Sequence, residues 1–158
     1  MSQSIQKFTP IIDTREQIPL TFDKKYCNDP IKKKLETGDY SIVGLEDIFC
    51  IERKKSIEEI AGNIFQKRME NVLMRLQCYK HKAIICEFSY AELIKFPVGS
   101  KIRKRLKVTG PFISSWLNNI VITRNIPIIY AGDASKASYI TTQMMRLMWI
   151  EWIRKSSK

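Results

Sequence analysis

Apolar and polar positions along this chain switch repeatedly between a period of two and a period near 3.6, which predicts strands alternating with helices. Residues 8–13 read as a strand, and residues 40–43 and 48–53 as the two arms of a hairpin closed by the four-residue connection 44–47. From 56 to 79 the spacing is helical, with an interruption expected near Gly62. Phe65, Met69, Val72, Leu73 and Leu76 fall on one stripe of that segment and are expected to be buried together. Ser56 and Glu59 form a capping-box pattern at its start. Residues 83–88 and 126–130 are continuous apolar runs of strand length, which suits a sheet covered on both faces. Residues 90–95 read as a short helix, and 111–124 and 135–154 as long ones. Strands interleaved with helices predict an α/β chain with its sheet between helical layers. No internal repeat, low-complexity tract or linker composition divides the 158 residues, so one domain is expected over 1–158.

Composition narrows the chemistry. A chain of this length buries about 70% of its unfolded surface and folds without disulfide or metal staples. Its strongly apolar stretch at 144–153 is interrupted by Arg146 and Glu151 and falls well short of the roughly 20 residues a membrane span needs. The N-terminus does not resemble a signal peptide, so the product is expected inside a cell, in the cytoplasm, with no membrane partner. Cys27, Cys50, Cys78 and Cys86 lack zinc-ligand spacing and His81 is the only histidine. That excludes the usual zinc sites, and a Ser-His-Asp hydrolase would depend on His81 alone. Catalysis, if present, rests on carboxylates, lysines and an oxygen-liganded metal.

The charge is lopsided. Of the net +11, residues 1–88 supply +2 and residues 89–158 supply +9. Lys95, Lys101, Arg103, Lys104, Arg105 and Lys107 fall in a stretch without an acid, and Lys32, Lys33 and Lys34 form a smaller cluster. Taken alone such a run is also what a solvated basic loop looks like; next to an acidic pocket it points to a polyanion such as DNA.

The acidic pocket comes from the hairpin. With a four-residue connection, Val43 faces Ile48, and counting outward pairs Ile42 with Phe49, Tyr40 with Ile51 and Asp39 with Glu52. One face is then Tyr40, Ile42, Phe49 and Ile51, a coherent core surface. The other sets Asp39 and Glu52 side by side, their Cβ atoms about 5 Å apart. Lys54 shares the face of Glu52 because strand side chains alternate. Two carboxylates so placed repel unless a divalent cation lies between them. Asp13 ends an apolar strand, where α/β sheets place ligand sites, and Arg15 and Glu16 add charge at the same edge. Hard oxygen donors without His or Cys favour Mg²⁺ or Mn²⁺.

At these residues the sequence resembles the XPF-type endonucleases of DNA repair and recombination. The resemblance is carried by IIDTRE at 11–16, GDY at 38–40 and IERKKSIEE at 51–59, with AIICEF at 83–88 and ISSWL at 113–117 downstream, and spans roughly 11–144. The opening DTREQIPLTF is similar to stand-alone phage and prophage members. It implies a restriction-endonuclease-like core, a central mixed sheet flanked by helices, and Mg²⁺- or Mn²⁺-dependent hydrolysis of DNA phosphodiesters at branches, flaps or single/double-strand junctions. By motif match, Asp39 and Glu52 would be metal ligands, Lys54 would act at the attacking water or the scissile phosphate, and Asp13 would assist at the metal. Arg53 would contact phosphate or organise the site. Glu58 stands where the family usually has a metal-associated Asp, although an acid in a first helical turn also serves the helix dipole. Arg68 matches the family's G-R pair, with Lys67 in place of the glycine, and is carried as a DNA-binding candidate together with Arg15, Lys101, Arg103, Lys104, Arg105 and Lys107. No tandem helix-hairpin-helix module is expected in these 158 residues, so the basic run or a partner would supply branch selectivity. The alternative function is a DNA-binding module of the same fold without catalysis.

The last helix adds a partner. Its apolar residues between Tyr139 and Ile153 are too many for one stripe, so more than one side must be covered. A homodimer through this helix is expected, as the resembled family also implies. The competing reading is a kink that returns Trp149 and Trp152 to their own domain.

Overall fold

A computed structural model describes residues 6–97 and 108–157. The described elements are β1 (Pro10–Ile12), β2 (Ile31–Lys32), β3 (Tyr40–Ile42), β4 (Phe49–Lys54), α1 (Ile57–Asn63), α2 (Lys67–Leu76), β5 (His81–Cys86), α3 (Tyr90–Lys95), α4 (Gly110–Arg124), β6 (Ile128–Tyr130) and α5 (Ala134–Ser156). Six strands make one sheet in the order β2-β1-β3-β4-β5-β6. The β1/β2, β4/β5 and β5/β6 pairs are parallel and the β1/β3 and β3/β4 pairs antiparallel, so the sheet is mixed.

All six residues of β4 are buried, because helices cover both faces of the sheet there. On one face Cys50, Ile84 and Cys86 pack with Ile57, Ile60, Leu73 and Leu76 of α1 and α2 and with Leu93, Ile113 and Leu117 of α3 and α4. On the other, Tyr40, Ile42, Phe49 and Ile51 pack against Ala137 and Met145 of α5. Alternation along β3 and β4 therefore feeds two cores at once.

Several boundaries differ from the sequence expectation. β1 is shorter, and Phe8 makes only an isolated bridge to Cys27. β2 has no apolar alternation to announce it and is both short and exposed. β6 is the far edge of the sheet and is half-buried, so its apolar run is not covered on both faces. The segment 56–79 is two helices broken at 64–66, close to the interruption expected at Gly62. That break takes Phe65 off the stripe: it is 76% exposed, whereas Met69, Leu73 and Leu76 are buried. Ser56 Oγ accepts from Glu59 N (3.1 Å), but the Glu59 carboxylate reaches back to Lys55 N (2.9 Å), one residue beyond the box. α5 is unbroken, so no kink returns Trp152, which is 39% exposed. Trp149 is half-buried and donates Nε1–H to Gln6 O (2.9 Å). Among the described residues, no helix is long and apolar enough to cross a membrane.

Candidate active site

Gly38 lets the chain close against β4. Its φ is +79°, and a Cβ there would lie 2.2 Å from Cys50 Sγ. Cys50 Sγ in turn donates to Thr37 O (3.1 Å). Asp39 N then donates to Ile51 O (2.8 Å), and Tyr40 pairs with Ile51. Of the pairs the hairpin count expected, the β3/β4 ladder holds Tyr40 with Ile51; Asp39 and Glu52 both line one cleft, near enough for the Glu52 charge to act on Asp39.

Lys54 Nζ lies 2.8 Å from Glu52 Oε1 and 3.4 Å from Glu59 Oε1. Asp39 Oδ2 accepts from Arg53 N (2.7 Å), and among the described residues no hydrogen bond reaches its other oxygen. Burial, and then the neighbouring Glu52 charge, push the Asp39 carboxyl up to about 8. Burial pulls the Lys54 ammonium down, but Glu52 and Glu59 outweigh it and Lys54 titrates above its ordinary value. Lys54 thus stays charged across the neutral range. These groups line a cleft of about 340 Å³ at the C-terminal end of β4, together with Arg15, Glu16, Arg68 and Arg75.

Other candidates stand farther back. Asp13 is fully buried, and both its oxygens are engaged: Oδ1 accepts from Arg15 N (2.9 Å) and Nε (2.6 Å), Oδ2 from Leu35 N (2.7 Å). Burial raises this carboxyl, but the Arg15 hydrogen bond and the N–H donors of Leu35 and Arg15 win and hold it below the usual range. Asp13 does not line the cleft; it holds Arg15, which does. Arg53 points to the opposite face from Glu52 and Lys54. Its Nη1 donates to Glu16 Oε2 (2.8 Å) and Ile18 O (2.6 Å), and its Nε to Glu87 Oε1 (2.5 Å). Of the two roles expected for it, these bonds are organisation of the site. Arg68 is exposed on the first turn of α2 and lines the cleft. Glu58 is half-buried and does not line it; the acid of α1 that does is Glu59. Lys101, Arg103, Lys104, Arg105 and Lys107 lie outside the described residues.

Sequence reading missed Glu59 and Arg75 as cleft residues. Arg75 Nε donates to Thr37 Oγ1 (2.8 Å), tying α2 to the loop that carries Asp39. A signal existed: Arg75 is seven residues from Arg68, two turns along one helix face. For Glu59 the capping-box pattern was the competing explanation.

Asp39 and Glu52 fit a hard divalent cation. Both are oxygen donors lining one cleft, and the Asp39 carboxyl is pushed up first by burial and then by the Glu52 charge, which a bound cation would offset. Asp39 and Glu52 would hold such a cation, and among the described residues no cluster of three His, Cys, Asp or Glu forms a ready-made cage.

The pattern of the ERCC4 domain matches residues 12–144, which include Asp39, Glu52 and Lys54. The chain belongs to the ERCC4 domain family. This is a family of DNA endonucleases, and the resemblance to XPF-type nucleases read from 11–16, 38–40 and 51–59 is borne out. Among solved structures, XPF from Aeropyrum pernix is similar with a TM-score of 0.63 and 17% identity, over 93% of this chain and 69% of that one. XPF from Aeropyrum pernix in complex with DNA is similar with a TM-score of 0.66 and 19% identity, over 90% of this chain and 65% of that one. This ERCC4 chain thus spans about two thirds of the XPF chains it resembles. The shared fold is the restriction-endonuclease-like one, a mixed sheet flanked by helices. No curated protein sequence matches the chain.

Proposed function

We propose that this chain is a Mg²⁺- or Mn²⁺-dependent endonuclease that hydrolyses DNA phosphodiesters at branched, flap or single/double-strand junction structures, inside a cell. The observation that carries the reading is that Asp39, Glu52 and Lys54 line one open cleft, with Lys54 Nζ 2.8 Å from Glu52 Oε1. Asp39 and Glu52 would hold the cation, which when bound offers charge stabilisation at the phosphoryl oxygens and a more acidic water. Lys54, kept protonated by its two glutamates, donates a hydrogen bond to a phosphate oxygen and does not serve as a base. Arg15, Arg68 and Arg75 grip the phosphates that flank the scissile one, as their places around the cleft allow. The chain acts as a homodimer through α5, where Tyr139, Leu147 and Trp152 project away from the domain core at 67%, 62% and 39% exposure.

Labelled flap, splayed-arm, four-way and linear duplex DNAs, incubated with the protein in Mg²⁺, Mn²⁺ or EDTA, test this directly. Cleavage of the branched substrates with either metal, absent in EDTA and in Glu52→Gln, is expected. Cleavage that persists in EDTA or survives the Asp39→Asn, Glu52→Gln double substitution would exclude the assignment.

A further inference from the structure

Residues 16–20 follow β1, Glu16 among them lining the cleft, and the segment is tied down at three points, one side chain and two backbone groups. The Glu16 carboxylate, 9% exposed, accepts from Arg53 Nη1 (2.8 Å) and from Tyr40 OH (2.7 Å). The Ile18 carbonyl accepts from the same Nη1 at 2.6 Å. Leu20 is buried, and its N–H donates to Tyr40 OH (2.9 Å). Pro19 fixes its own φ and confines Ile18 to extended backbone. In the middle of this framework the Ile18 side chain is 74% exposed. Isolated apolar residues on a surface are ordinary. This one is presented by backbone anchored to Arg53, and both Arg53 and Glu16 are among the residues that line the cleft.

We infer that Ile18 is an apolar wedge that enters a base step of DNA beside the phosphodiester held in the cleft. The inference rests on the DNA reading above and narrows it to DNA whose stack opens easily at that step: a nick, a flap base or a junction. Proteins that open base steps do so with side chains of this kind, Ile, Leu, Met, Phe or Pro. A wedge already immobilised by the fold loses little freedom on insertion. Opening is easiest where pairing or stacking is already interrupted, so the wedge discriminates against continuous duplex without reading sequence.

The test uses the full chain in EDTA and DNAs carrying 2-aminopurine, which brightens on unstacking, at the base next to a nick, at a flap base, or inside continuous duplex. Binding is followed in parallel by anisotropy. Bound protein should brighten the nick and flap probes and favour them over continuous duplex by about tenfold. Ile18→Ser should remove the brightening and most of the preference, while Ile18→Leu keeps both. All three proteins should melt alike because the side chain is exposed, and their salt dependence should match because no charge changes. Tight binding without brightening, or brightening undiminished in Ile18→Ser, would overturn the wedge and leave the nuclease reading standing. Failure to bind any of the DNAs would overturn both.

Discussion

Replacing Asp39 by Asn should make the metal-free protein more stable above neutral pH. The substitution keeps an oxygen to accept from Arg53 N, at 2.7 Å in the native chain, and removes only the charge facing Glu52. The Asp39 carboxyl is pushed from 3.8 to about 8 by burial and by Glu52. The folded state therefore holds a proton between about pH 4 and 8 that the unfolded state has released, so stability falls as pH rises through that window. Four units at about 1.4 kcal/mol each set a ceiling near 5 to 6 kcal/mol. Solvent at this partly buried site, and the Lys54 ammonium beside it, reduce the realised figure to about 2 kcal/mol. In a domain of this size that is a rise of about 4–8 °C in Tm. Thermal unfolding in EDTA from pH 4.5 to 8.5 should show the two proteins nearly together at the acid end and Asp39→Asn ahead by the full difference at pH 8.5. Added Mg²⁺ should raise Tm for the native chain only. A difference that does not grow with pH, or an Asn variant that melts earlier at pH 8.5, would refute the electrostatic account of the site.

Arg53→Ala should cost about 3–5 kcal/mol, because Glu16 and Glu87 lose a common partner at 2.8 and 2.5 Å in a buried setting; denaturant unfolding reports it. Gly38→Ala should cost about 2 kcal/mol or more, from a φ of +79° together with a Cβ placed 2.2 Å from Cys50 Sγ, and should lower cleavage even in the folded fraction because Asp39 moves with it. Leu147→Glu with Trp152→Glu should convert a particle of about twice the 18.5 kDa chain mass to monomer in sedimentation at micromolar concentration; a native chain that already sediments as monomer would dismiss the dimer. Neutralising two of Lys101, Arg103, Lys104, Arg105 and Lys107 should flatten the slope of log K against log salt for duplex DNA by about 2.

Much of the site was legible in the chain because its logic is local. Once the connection 44–47 is taken as four residues, strand alternation alone sets Asp39 across from Glu52 and puts Lys54 on the same face; the fold keeps the Tyr40–Ile51 pair of that register and gathers the three side chains at one cleft. The long elements were equally visible, since a helix or strand that packs on a core must carry its period in its own sequence. What could not be read involves groups brought together from distant segments. Whether Asp13 or Glu58 faces the cleft depends on which partners arrive: Leu35 and Arg15 take both oxygens of Asp13, and α1, started at Ser56, turns Glu59 toward Lys54 while Glu58 lies outside the lining. The break at 64–66 between α1 and α2 exposes Phe65, which continuous helical spacing would have buried. The tie between Arg75 and Thr37, 38 residues apart, and the clamp of Arg53 on Glu16, Ile18 and Glu87 have no periodic signature at all. Periodicity records which face of an element meets apolar neighbours; the partners of a charged side chain are chosen by the packing of whole elements against one another, and that exists only once the sheet and its helices have closed.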